Sequence, residues 1–182
     1  MCSKTTFERW CKIMKYVNWK EYTKLGMRRP YYRERWCYIR EVVNIIKKID
    51  PESVLELGVR HIRVVKNSDV MDLKDYDIGA KYVMDARKLP WPIPDNEYDL
   101  FIALEVFEHL KKTNRSDIFR EIKRTSNMAI LSFPYKWDWP DKDNPHYMID
   151  DDIIKEWTDY HEPVIEKVVM NRKICFYDFR NL

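Results

Sequence analysis

From residue 53 onward the chain alternates short apolar runs with polar stretches. SVLELG (53–58), SDVMDLK (68–74), KYVMDA (81–86), YDLFIALE (98–105) and MAILSF (128–133) are each six to eight residues long and rich in aliphatic or β-branched side chains. Runs this short and this continuously apolar fit strands of a parallel sheet buried on both faces. Between the fourth and fifth runs, Ile118, Phe119 and Ile122 recur at helical spacing, and Ser116 is placed to cap a helix there. A second helix is expected over 149–159, introduced by three consecutive aspartates that complement the positive end of a helix dipole. The chain closes with EPVIEKVVM and KICFYDF separated by Asn171-Arg172, the pattern of an antiparallel hairpin with a tight turn.

Upstream the period changes. Phe7, Trp10, Cys11, Met14 and Val17 are spaced by threes and fours, which predicts an amphipathic helix. The glycine and proline of KLGMRRP interrupt it. Another helix runs from about Arg33 to Lys48, with Trp36, Ile39, Val43 and Ile46 on one face, until Asp50-Pro51 stops it. The pattern therefore divides the chain into a helical extension, residues 1–48, and one α/β domain, residues 49–182.

Charge sharpens that division. Residues 1–48 hold 13 Lys and Arg against 4 Asp and Glu, whereas the remainder holds 20 against 26. The extension also interleaves aromatics with its basic residues, as in RRPYYRERWCY, so it has two readings. It either binds nucleic acid through phosphate contacts and stacking, or packs its aromatics on the sheet and leaves its charges in water. Helical spacing favours packing. No apolar run approaches the length of a membrane-spanning helix, and the N-terminus lacks the apolar core of a signal peptide. Cys2, Cys11, Cys37 and Cys175 are scattered, with no CxxC pair and no histidine at ligand spacing. That pattern predicts no metal site and no disulfide framework, and it suits a reducing cytoplasm.

The candidate chemistry lies at the ends of the predicted strands, where open α/β sheets bind ligands. Glu56-Leu57-Gly58 closes the first strand. Asp72, near the end of the second, can accept hydrogen bonds from both hydroxyls of a ribose. Asp85-Ala86 ends the third, where a carboxylate and a neighbouring backbone N–H match an adenine edge. Glu105 ends the fourth. One strand-end glycine or aspartate is ordinary, but this ordered series is not.

VLELG, SDVMDL and above all DARKLPWPIPDNEYDLFIALEVFEHL resemble the class I S-adenosylmethionine-dependent methyltransferases, especially the small type-11-like group. The resemblance covers about Asp50 to Trp157. It implies a Rossmann-like, seven-stranded, mostly parallel sheet with an antiparallel C-terminal hairpin. It also implies methyl transfer from S-adenosylmethionine to an unidentified acceptor. On this analogy Glu56, Leu57, Gly58 and Val59 lie by the methionine part of the cofactor, and Asp72 and Leu73 at its ribose. Asp85, Ala86 and Arg87 then lie at the adenine, and Glu105 near the sulfonium. His109, Tyr135, Trp137, His146 and Tyr147 are the substrate-pocket candidates, with Trp139 in the same loop. No residue is assigned to the chemical step.

Two departures from the family stand out. Its usual Gly-x-Gly-x-Gly after strand one is here Gly-Val-Arg-His-Ile, so Arg60 and His61 are candidate donors to the cofactor's carboxylate. The step from Gly58 to Asp72 is also too short for a full crossover helix, which predicts an irregular connection or a single helical turn. LSFPYK (131–136) follows the fifth strand rather than the fourth, so it is a loop start and not an amino-methyltransferase box. A nicotinamide enzyme is disfavoured, because no Gly-x-Gly-x-x-Gly follows the first strand. The alternatives are a non-catalytic cofactor-binding homologue and a nucleic-acid-binding module using the basic extension.

Overall fold

The computed structural model describes residues 14–24, 30–60, 62–138 and 140–180. Two helices, α1 (Trp19–Lys24) and α2 (Pro30–Ile49), precede strands β1 (Val54–Leu57), β2 (Asp69–Asp72), β3 (Tyr82–Val83) and β4 (Tyr98–Leu104). A 3-10 turn over Phe107–His109 leads to α3 (Lys112–Thr125), β5 (Ser126–Pro134), α4 (Asp151–Trp157), β6 (Ile165–Val169) and β7 (Arg172–Asp178). The seven strands form one sheet in the order β3-β2-β1-β4-β5-β7-β6. β1 pairs in parallel with both β2 and β4, and β7 runs antiparallel to β5 and β6. Strand order reverses between β1 and β4, which makes that junction the topological switch point.

Alternation along each strand splits the core in two. Leu55, Leu57, Phe101, Ala103, Ala129, Leu131, Cys175 and Tyr177 face α3 and α4. Val54, Leu100, Ile102, Met128, Ile130, Ile174 and Phe176 face α2. The central strands are buried on both faces, which is why they read as unbroken apolar runs. The segment between β3 and β4 contains no helix; buried Trp91 and Ile93 cover that part of the α3 face instead. Trp91 stacks on Phe101 at 5.7 Å and donates from its indole to the Ala86 carbonyl at 2.9 Å.

Several local expectations need correction. Residues 1–13 lie outside the described part, but Met14–Val17, the end of the first expected helix, is extended. Tyr16 forms an antiparallel bridge with Val65, Val17 N–H donates to Val64 O and Lys66 N–H donates to Lys15 O. The step from β1 to β2 has no helix of its own, as its length foretold, and this N-terminal strand-like piece lies along it. Buried Val17 and Tyr22 continue the α2-side core there, with Tyr22 against Trp36 at 5.5 Å. Ser116 caps nothing, because α3 begins four residues earlier, after Lys111. Asp150 does cap α4, accepting from Ile153 N–H. The hairpin turn is Met170-Asn171 rather than Asn171-Arg172, since Arg172 pairs with Val169 as the first residue of β7. Among the described residues no helix is long and apolar enough to cross a membrane.

Candidate active site

At the carboxyl ends of β1 to β4 the sheet opens into a cavity of about 490 Å³. β1 contributes Leu57 and, just beyond it, Gly58. Gly58 has φ 71°, and a Cβ there would sit 2.9 Å from the Val106 side chain, so only glycine fits. Two residues on, Arg60 takes φ 54°, the left-handed conformation a second glycine would adopt without strain. Its backbone N–H donates to Asp72 Oδ2 at 3.1 Å, while Leu73 N–H donates to Asp72 Oδ1 at 2.7 Å. The carboxylate ending β2 thereby clasps the loop after β1. Arg60, Asp72 and Leu73 all line the cavity.

Asp85, Ala86 and Arg87 form its next wall. Arg87 grips the Asp85 carboxylate with Nε and Nη2, and this pairing holds the Asp85 carboxyl down at about 2. Glu105 lines the cavity from the end of β4, also with a left-handed backbone, φ 57°. Its carboxylate is ion-paired to Arg172 and accepts from Ser132 Oγ at 3.1 Å. Burial nevertheless raises its pKa to about 7.

Eight of the ten expected cofactor residues thus meet in one cavity. The two that do not are Glu56 and Val59. Glu56 neighbours Leu57 on a strand, so it points to the opposite face of the sheet. There its buried carboxylate accepts from Val64 N–H, Val65 N–H and Ser68 Oγ at 2.7–2.9 Å. Val59 lines a small separate pocket on that side. His61 and Trp139 lie outside the described residues.

Among the substrate-pocket candidates, His109 and His146 line the cavity. Trp137 stands behind His146, stacked at 6.0 Å, under the Arg172 guanidinium at 4.7 Å. Tyr147 is half-buried and does not line the cavity. Tyr135 is turned away, its hydroxyl donating to Asp151 Oδ2 at 2.8 Å beside a different cavity between α4 and the hairpin. Sequence reasoning missed Arg35, Tyr76 and Met84, which also line the site. It missed Glu108 as well, because a glutamate is ordinarily expected at the surface. Glu108 is 2 % exposed, and its Oε1 lies 3.6 Å from His146 Nε2 and 3.9 Å from His109 Nε2. Burial, reinforced by the charge of Glu105, pushes its pKa well up, and burial also lowers both histidines.

A family model described as a methyltransferase domain matches residues 55–127, from β1 to the start of β5. Over those residues the chain matches the methyltransferase domain, and the family's class I S-adenosylmethionine-dependent members are what it is similar to. Comparison with curated proteins returns no match. Among solved structures, the PH0226 protein of Pyrococcus horikoshii aligns with TM-score 0.59 and 13% identity, over 84% of this chain and 92% of its own. The N-methyltransferase NodS of Bradyrhizobium japonicum, solved with S-adenosyl-L-homocysteine, gives 0.57 and 13% over 83% and 88%. Magnesium protoporphyrin IX methyltransferase of Synechocystis, solved with bound S-adenosylmethionine, gives 0.54 and 15% over 95% and 90%. At these identities the likeness speaks for the fold. The chain keeps its cavity at the switch point, where the fold expects a ligand.

Proposed function

We propose that this protein transfers the methyl group of S-adenosylmethionine to an acceptor that enters beside His109 and His146. The observation that carries the reading is convergence: Gly58, Asp72, Asp85 and Glu105, from four strands, meet in one cavity at the switch point. Bound there, the cofactor supplies a methyl group activated by its sulfonium. The cavity's size lies in the range of small-molecule sites.

The chain's residues fit the cofactor part by part. Gly58 lets the backbone pass close to the methionine portion. Each Asp72 oxygen accepts one backbone N–H and keeps a lone pair for a ribose hydroxyl. Asp85 and Ala86 face the adenine edge, with Arg87 fixing the Asp85 carboxylate in place. Arg60 offers a guanidinium to the cofactor's carboxylate from the rim of the cavity. What these groups accomplish is positioning, since in-line attack on a methyl sulfonium gains most from a fixed geometry. The thiols of half-buried Cys37 and buried Cys175 support a reducing compartment, the cytoplasm.

Calorimetry with S-adenosylmethionine and S-adenosylhomocysteine tests the reading. Binding is expected, and Asp72→Ala with Asp85→Ala should weaken it at least about 10-fold, the loss of one charge-assisted hydrogen bond. Absence of binding at millimolar ligand would overturn the function. Undiminished binding by the double variant would overturn the site.

A further inference from the structure

Glu108 is a buried carboxylate with no hydrogen-bond partner for either oxygen among the described residues. Its neighbours satisfy the backbone instead: Arg115 Nη2 donates to the Glu108 carbonyl at 3.0 Å, and Arg115 Nε to Leu110 O. A carboxylate shut away from water without a partner costs several kcal/mol, so buried carboxylates are normally paired or bound to a metal. The groups that face Glu108 Oε1 are two imidazole nitrogens. One ligand atom each from Glu108, His109 and His146 lie within 4.8 Å of one another, and the two rings meet edge to face at 5.1 Å. Metal–ligand bonds of about 2.1 Å place ligand atoms about 3.0–3.5 Å apart. The 3.6 and 3.9 Å separations from Glu108 lie about 0.1–0.4 Å beyond the upper end of that range, and all three ligand atoms stay within 4.8 Å, so the side chains must draw together around the ion.

The elements hold this arrangement from two directions. The 3-10 turn after β4 presents Glu108 and His109 side by side, and the loop between β5 and α4 brings His146 over them. Trp137 stacked on His146 orients its ring. Glu105 is already engaged by Arg172 and Ser132, so it is not counted among the ligands. Both histidines line the cavity that also holds Asp72 and Asp85, so the cluster opens on the cofactor cleft.

We infer that Glu108, His109 and His146 bind one divalent cation of the Mn²⁺ or Co²⁺ class, whose open coordination positions take a hydroxyl oxygen of the methyl acceptor. Two imidazoles and one carboxylate suit such cations and leave positions free for water or substrate. The second half of the inference rests on the methyl-transfer reading; the first half does not. Coordination lowers the pKa of the hydroxyl, and its proton leaves to solvent. The oxygen lone pair then forms the new O–CH₃ bond as the S–CH₃ bond breaks. The pair from that bond stays on sulfur, and the sulfonium becomes a neutral thioether. A search for cysteine-centred ligand spacing passes over this cluster, because its ligands are an adjacent Glu-His pair and a distant histidine.

The test uses the full chain after treatment with a chelator. Co²⁺ is titrated and followed by its visible d–d absorption, and Mn²⁺ by loss of the free-ion electron paramagnetic resonance signal. One equivalent should bind, and His146→Ala, His109→Ala and Glu108→Gln should each weaken binding at least about 10-fold. Both histidines are partly exposed, so their variants should keep the wild-type melting temperature; Glu108→Gln is a second, independent probe. No binding at millimolar Co²⁺ or Mn²⁺ overturns the site, as does undiminished binding by the double histidine variant. Parallel calorimetry with S-adenosylhomocysteine separates the two readings. Cofactor binding without metal binding removes the metal site alone, and metal binding without cofactor binding removes the methyl-transfer role alone.

Discussion

Arg60 shows how a glycine-poor loop keeps a cofactor-loop shape. Its φ of 54° is one a glycine would take freely and an arginine takes at a cost of about 1–2 kcal/mol. The clasp from its N–H to Asp72 helps hold it there. Arg60→Gly should therefore leave the urea-unfolding free energy within about 1 kcal/mol of wild type, because relieved strain offsets added chain freedom. Arg60→Val should lower it by about 1–3 kcal/mol, since a β-branched side chain is poorly tolerated in that region. If the guanidinium holds the cofactor's carboxylate, Arg60→Gly should also weaken S-adenosylhomocysteine binding about 10-fold with the fold intact. Equal affinity in calorimetry would leave Arg60 a purely conformational role. The sequence exposed the missing glycine but not this solution, because φ is invisible in a side-chain pattern.

At the scale of elements, the step from β1 to β2 is the departure that matters. Where length allowed no crossover helix, Glu56 acts as a strut and ties Val64, Val65 and Ser68 to the sheet. Burial raises its pKa to about 7 despite three hydrogen bonds that favour the charged form. The unfolded chain titrates this group near the ordinary carboxylate value, so between about pH 4.5 and 7 the native state binds more protons. Stability should accordingly fall as pH rises through that window, by up to about 3 kcal/mol from this group. Glu105 and Glu108 are raised too, so the difference in unfolding free energy between wild type and Glu56→Gln, at pH 5 and pH 7.5, isolates Glu56. A difference that does not change with pH would reject the assignment. The strands, the α4 cap and the hairpin were legible because burial on both faces and period-two alternation leave a direct trace in composition. The partners of Glu56 were not, since a strand pattern tells which face a residue takes only after the faces are known. Ser116 misled for a related reason: a good capping residue also sits comfortably inside a helix when the flanking apolar positions decide its register.

Across the whole molecule, the extension and the α/β domain share the α2-side core. Val17, Tyr22, Tyr38, Ile39 and Val42 from the extension are buried with Val64, Val65, Leu100 and Ile102 from the domain. Tyr22→Ala should lower the unfolding free energy by about 3–5 kcal/mol, the usual cost of emptying a large buried aromatic site. It should also weaken S-adenosylhomocysteine binding in calorimetry, although Tyr22 lies outside the main cavity, because the connection that carries Gly58 and Arg60 loses its backing. Unchanged affinity would mean that the connection stands on Glu56 alone. The cavity was readable as four strand ends in order, with His109 and His146 beside them. The place of Glu108 between the two histidines was not, because His146 reaches Glu108 only through the folded path of the loop after β5.

The pairing of Tyr16 with Val65 also has a practical consequence for handling the protein. Removing residues 14–17 takes away both backbone bonds that this short strand makes to the β1–β2 connection, Val17 N–H to Val64 O and Lys66 N–H to Lys15 O. A comparison of cofactor affinity between the full chain and one that begins at residue 18 therefore becomes a mechanical probe of the loop that carries Gly58 and Arg60.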